Sequence, residues 1–183
     1  MTTWGDRLSS DSGAEPAPRF LLDVYLRDHL AGASAGVSLV RRCRRSNSGT
    51  DLAVVLQDVE AEIIAARRDL EAIMSRLRVE KSRLKQAIGL GLEFVGRLKS
   101  NGRLFHYSPS SRVVELEMLA SAVFTQRSLW LSLGAVVDDY PELDVRQVDR
   151  LIAGATEMCE RLLAAHDRAA VIAFGTTAGR VLQ

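Results

Sequence analysis

The sequence predicts an all-α protein, an up-and-down bundle of about five helices. The first reason is a seam through the middle of the chain. Leu56, Val59, Ile63, Ala66, Leu70, Ile73 and Leu77 step by threes and fours, and Leu84, Ile88, Gly91, Val95 and Leu98 resume in phase after Glu80. Such spacing lays an apolar stripe along one face of a helix, which has to be buried against other helices. The second is composition. Apolar residues make up 47% and charged residues 26%, but aromatics only 5%, so the core has to be built from Leu, Val, Ile and Ala. The third is length: 183 residues suit one domain that buries roughly 70% of its unfolded surface without a disulfide or metal staple.

Residues 1–18 are polar and rich in Ser, Gly, Asp and Pro, which predicts a disordered segment with no secretory apolar run. The folded domain is expected over 19–174. Its first helix starts near Pro18 to Phe20 and ends near Arg41 to Arg45, with the seam Leu22, Leu26, His29, Ala33, Val37 and Val40. Asp23 is read into its first turn and the four arginines into its last, both favourable against the helix dipole. Gly32 and Gly36 predict close approach of a second helix. The best apolar stretch, Leu30 to Val40, is far shorter than the roughly 20 residues that span a bilayer, so a cytoplasmic protein with no membrane contact is expected.

Thr50 or Asp51 caps the second predicted helix, Asp51 to Arg78, whose outer face mixes both charge signs. A break falls between Arg78 and Ser82, with one helix of about fifty residues as the competing reading. The third predicted helix, Ser82 to Lys99, contains Gly89, Gly91 and Gly96. Each interior glycine costs roughly 1 kcal/mol relative to alanine, so the three predict packing against the Gly32/Gly36 face. Asn101-Gly102 stops it, and Ser108-Pro109 opens the fourth helix, Pro109 to Val137, with seam Val113, Leu116, Leu119, Val123, Gln126, Trp130, Leu133 and Val137. The fifth is announced by Asp144 as cap, Gln147 completing a capping-box-like pair, and a Leu143/Val148 staple. Its seam runs Val148, Ile152, Ala155, Cys159, Leu162, His166, Ala169 and Ala173, and residues 175–183 read as a flexible tail.

Bundle cores host di-iron carboxylate sites, built from inward Glu residues and two ExxH pairs. No ExxH exists here: Leu26, Arg103 and Leu163 stand three residues before His29, His106 and His166. His29 and His166 still fall on seams, and Glu62, Glu117 and Glu160 stand beside seam positions, so these five are the candidates for a reduced metal site. The expectation is two hydrogen-bonded core histidines, no stoichiometric metal and no cofactor. No phosphate-cradling, metalloprotease or nucleophile-elbow motif is present, and no catalytic residues are assigned. Cys43 and Cys159 are read as free thiols of a reducing compartment; the arginines around Cys43 would favour its thiolate.

Charge is uneven although the net is only +1. Arg76, Arg78, Lys81, Arg83, Lys85, Arg97, Lys99 and Arg103 face only Glu80 and Glu93 in the same stretch, and Arg41, Arg42, Arg44 and Arg45 form a second cluster. These could hold phosphate, nucleic acid or an acidic partner, but the balanced total disfavours a dedicated nucleic-acid binder. Wide apolar faces, with Ile64 and Met74 on the second helix and Phe124 and Leu129 on the fourth, predict a two-fold homodimer.

Three runs carry a family resemblance: the nine residues from Tyr25 to Ala33 (YLRDHLAGA), those from Gly96 to Arg103 (GRLKSNGR), and those from Ser108 to Glu117 (SPSSRVVELE). Together they resemble a group of small uncharacterised actinobacterial helical proteins, over most of Phe20 to Phe174. The group is similar in layout to ferritin-like bundles, so the resemblance implies a ferritin-like core and transfers no activity. The reading is a non-enzymatic bundle for protein-protein interaction or scaffolding. A ferritin-like metal protein and a basic-patch nucleic-acid or phosphate binder are the alternatives.

Overall fold

The computed structural model describes residues 17–80 and 107–176. The predicted disorder of the N-terminal segment, the third predicted helix with its three glycines, the Asn101-Gly102 stop and residues 177–183 of the tail lie outside the described residues. Those described form four α-helices and a 3-10 turn, with no strand: α1 (Pro18–Ser46), α2 (Asp51–Arg76), the turn Val137–Asp139 between α3 (Pro109–Ala135) and α4 (Val145–Phe174). Among them no helix is long and apolar enough to cross a membrane.

Pro18 opens α1 at the position where its missing N–H costs nothing. This start leaves Asp23 beyond the first turn, so it does not serve the helix dipole as expected; it pairs instead with Arg19 at 3.2 Å and Arg27 at 4.0 Å. Thr50 is the N-cap residue of α2, yet its side chain caps nothing, because the hydroxyl donates backwards to the Asn47 carbonyl at 2.7 Å.

The second helix stops two residues short of the expected end. The Val79 N–H bonds the Met74 carbonyl and the Arg78 N–H the Ser75 carbonyl, at 2.8 and 3.1 Å, with Arg78 left-handed at φ 55°. Those two bonds are a Schellman stop, sealed by burial of Val79 in the same cluster as Met74. A single helix continuing through Arg78 is therefore excluded. Arginine bears a Cβ penalty in this conformation that glycine escapes, so Arg78→Gly is expected to raise stability by about 0.5–1 kcal/mol. Urea denaturation measures it; a loss of stability would refute the strain.

Two strong caps start the second half. Ser108 and Ser111 bond each other's backbone N–H at 3.2 and 3.4 Å, a capping box at the head of α3. Asp144 accepts from the Arg146 and Gln147 amides at 2.9 and 3.3 Å. Gln147 does not return the bond as a capping box would, since its amide reaches across to Asp69 on α2 at 3.1 Å. The Leu143/Val148 pair is buried in one cluster, as a staple requires.

Cross-helix bonds fix the chain directions. Arg19 of α1 meets the Leu77 carbonyl at the end of α2, and Arg41 meets Glu60. Arg42 and Tyr25 of α1 meet Glu115 and Ser132 of α3. Between α3 and α4, Glu117 pairs with His166 and Arg127 with Thr156; between α2 and α4, Glu62 pairs with Arg161 and Asp69 with Gln147. In every neighbouring pair one residue number rises as the other falls, so these neighbours are antiparallel, in the order α1, α2, α4, α3 around the bundle. It follows that α2 and α3 run the same way. Among the described helices the directions run up, down, down, up, and the third predicted helix, which would fall between α2 and α3, lies outside them. Glu80 and Tyr107 stand at opposite ends, separated by about 40 Å of helix.

The core is two buried clusters stacked along the bundle. One joins Val37, Val40 and Cys43 to Leu56, Val59, Leu116, Leu119 and Leu162. The other joins Leu26 and Leu30 to Leu70, Ile73, Met74, Trp130, Leu133 and Val148. Among the described residues the apolar seam positions are buried or partly buried at these sites, except that the α3 seam is interrupted by half-buried Gln126; the seam from Leu84 to Leu98 lies outside them.

Candidate functional site

The five metal candidates do not converge. His29 is half-buried on α1 with its ring edge-on to Tyr25, centroids 4.4 Å apart. His166 lies on the opposite diagonal, its Nε2 3.2 Å from Glu117 and its Nδ1 3.3 Å from Asp167. Glu62 is taken by Arg161, and Glu160 is exposed at the edge of an outer groove between α3 and α4. Among the described residues no three His, Cys, Asp or Glu side chains gather as a metal site would require.

The two histidines are pushed in opposite directions. Hydrogen bonds to Asp167 and Glu117 raise the His166 pKa, whereas burial lowers that of His29 against a smaller pull from Asp28. The contribution of His166 is therefore complete below its unfolded pKa of about 6.5 and is lost as pH rises through the higher folded value. His29 has the reverse sign, costing stability as pH falls below about 6.5 towards its lower folded value. Titration of the imidazole resonances by NMR, assigned with His29→Gln and His166→Gln, is expected to place the two midpoints on either side of 6.5. Coincident midpoints would refute both environments.

The arginine cluster at the end of α1 is largely committed to carboxylates. Arg41 and Arg44 clamp Glu60 at 2.9 and 2.7 Å, which holds its carboxyl below the usual range, and Arg42 lies 3.3 Å from Glu115. Arg45 donates to the Arg41 carbonyl. Arg76 bonds the Glu142 carbonyl and Gln147, and Arg78 occupies the helix stop. Lys81, Arg83, Lys85, Arg97, Lys99 and Arg103 lie outside the described residues.

Cys43 is buried, and its thiol is pushed far up by desolvation and by Glu115, which together outweigh Arg42. The arginines consequently do not make it a thiolate, as their sequence proximity had suggested. Burial also raises the Cys159 thiol, which borders the outer groove.

Two concavities stand out among the described residues. Between the stacked clusters, at the waist of the bundle, is a cavity of about 150 Å³ bounded by α1, α2 and α3. It exists because Gly32, Ala33 and Gly36 are too small to fill that level of α1, and because the α3 seam carries Gln126 there. A Cβ at Gly32 would meet nothing within 4 Å, and one at Gly36 would only touch Ile63 at 3.9 Å. Among the described residues this glycine face therefore borders space; its expected partner, the third predicted helix, falls outside them. Arg67 and Trp130 also line the cavity, and neither the Arg67 Nε nor the Trp130 Nε1 has a hydrogen-bond partner although both atoms are buried. On the outside, α3 and α4 form a more open groove of about 490 Å³ with Phe124 and Leu163 at its edge, 61% and 52% exposed.

His29 and Gln126 were visible in the sequence as polar residues on apolar seams. Arg67 was not, since it sits in a helix face of mixed charges, and Trp130 read as plain core. Comparison of the chain with family models, curated proteins and solved structures finds no match.

Proposed function

We propose that the chain is a non-enzymatic helical-bundle protein that works by protein-protein association, with a second copy of itself as the first partner. The observation that carries this reading is the outer α3/α4 groove, where Phe124 and Leu163 stand in water beside Ala120, Cys159 and Thr156. A bundle that has already buried its seams gains nothing from aromatic and leucine side chains on that face unless another surface covers them. Of the four residues that suggested extra width, Leu129 and Met74 are consumed by the chain's own core and Ile64 packs partly against it, which leaves Phe124 for the interface. Closed two-fold pairing is the commonest way to cover such a face.

The direction of the helices supports a ferritin-like layout, in which two antiparallel hairpins are joined by one long crossover. The same proposal includes the likeness to small actinobacterial bundles and a cytoplasmic setting. A metal or nucleic-acid role has less support, because the candidate ligands are scattered and Arg41, Arg42 and Arg44 are paired within the bundle. Light scattering coupled to size exclusion tests the pairing. The expected mass is twice the 20.1 kDa of the chain, reduced to one chain by Phe124→Glu with Leu163→Glu. A single-chain mass for the unmodified protein, unchanged on dilution, would overturn the reading.

A further inference from the structure

We propose that the waist cavity is a binding site for a small monocarboxylate with a compact apolar body of benzene size. The argument starts from unfinished hydrogen bonding. Trp130 is only 1% exposed, and its indole N–H can donate but not accept. A buried donor without a partner costs free energy, and folded proteins keep few of them. Here there are two in the lining of one cavity, Trp130 from α3 and Arg67 from α2, because the Arg67 Nε is also buried and unpaired, while another nitrogen of the same guanidinium pairs with Glu71 at 3.2 Å.

Two donors require acceptors, and one of them carries positive charge. A carboxylate supplies two acceptor oxygens and the matching sign, and guanidinium nitrogens bind carboxylates with charge-assisted strength. The Arg67 side chain is 39% exposed, so it stands at the mouth of the cavity, where an anion could enter without complete desolvation. Behind it the walls are Ile63, Leu70, Val123 and Leu129. Cavities of about 150 Å³ accept benzene-sized bodies, and a carboxylate here displaces any water held by the polar residues of the lining. His29 also lines the cavity.

The site lies on the α1/α2 side of α3, shares only Thr125 with the α3/α4 groove, and does not depend on pairing between chains. The probe is benzoate, titrated into the full-length protein, with the Trp130 indole N–H followed by NMR. The chain has two tryptophans, so Trp130→Phe assigns the signal. A saturable shift is expected, with a Kd of about 1 mM or tighter. Benzyl alcohol is expected to bind about tenfold more weakly, and Arg67→Met and Trp130→Phe, read by calorimetry, each to weaken benzoate by about tenfold. Acetate should give no saturable shift. Ala33→Leu, which fills the cavity, should abolish binding while circular dichroism and the melting temperature show the bundle intact.

Absence of saturation with benzoate would overturn the site. Equal binding of benzyl alcohol would remove the carboxylate from the proposal, and equal binding of acetate would remove the apolar body. Undiminished binding by a folded Ala33→Leu protein would place the ligand elsewhere.

Discussion

Leu119→Ala is expected to cost about 3–5 kcal/mol, the upper part of the range for leucines truncated in packed cores. Leu119 is fully buried on α3, in the cluster that draws on all four helices. Its loss forfeits the transfer free energy of the removed methyl groups and leaves a void that rigid helical neighbours close only partly. Leu163→Ala, at an exposed position on α4, is the control and should change stability by less than about 0.5 kcal/mol in the monomeric state. Urea denaturation followed by circular dichroism gives both values. A cost below about 1 kcal/mol for Leu119→Ala would mean that the α3 seam is packed far more loosely than the structure shows.

Asn47→Ala is expected to cost about 2–4 kcal/mol, nearly as much, although it removes no apolar core. Asn47 is only 2% exposed and joins three parts of the chain. Its Nδ2 donates to the Cys43 carbonyl at 2.8 Å and to the Tyr107 hydroxyl at 2.6 Å, and its Oδ1 accepts from the Arg112 Nε at 2.6 Å. The Tyr107 hydroxyl in turn donates to Glu115 at 3.2 Å. Alanine takes the acceptor from the Arg112 Nε and one of two partners from the Cys43 carbonyl and the Tyr107 hydroxyl, at the junction of the α1–α2 turn and the head of α3, and lost bonds to a charged group at a buried position are what make such truncations expensive. Tyr107→Phe alone should cost about 1 kcal/mol. In a double-mutant cycle the pair should depart from additivity by at least about 0.5 kcal/mol. Additive losses would show that the bonds act separately and would refute the network.

What the sequence disclosed follows from the range of each interaction. Leu56, Val59, Ile63, Leu70 and Ile73 all lie in the core, because helical periodicity turns local spacing into a buried face whatever the partner is. The Asp144 and Ser108 caps were equally legible, being contacts within three residues. Arg78 was not, since nothing in an arginine announces a left-handed helix stop. The Asn47 network was also hidden, because its partners stand 60 and 65 residues away. Of the waist cavity the sequence showed the polar seam residues His29 and Gln126 and the small residues Gly32 and Gly36. It could not show that these stand at one level, which depends on the relative direction of helices separated by a long connection.

That direction has a consequence for how the molecule could be taken apart. Since α1 with α2 and α3 with α4 are hairpins, and α2 and α3 point the same way, the chain can be opened between Glu80 and Tyr107 without cutting any described helix. Each fragment would then hold half of both core clusters: Leu56 and Ile73 on one, Leu119 and Trp130 on the other. Neither hairpin alone could shield its leucines from water, whereas the two together could restore all four helix contacts. The fold thus contains the makings of a split protein, with its halves held together by the same apolar faces that make one chain of them.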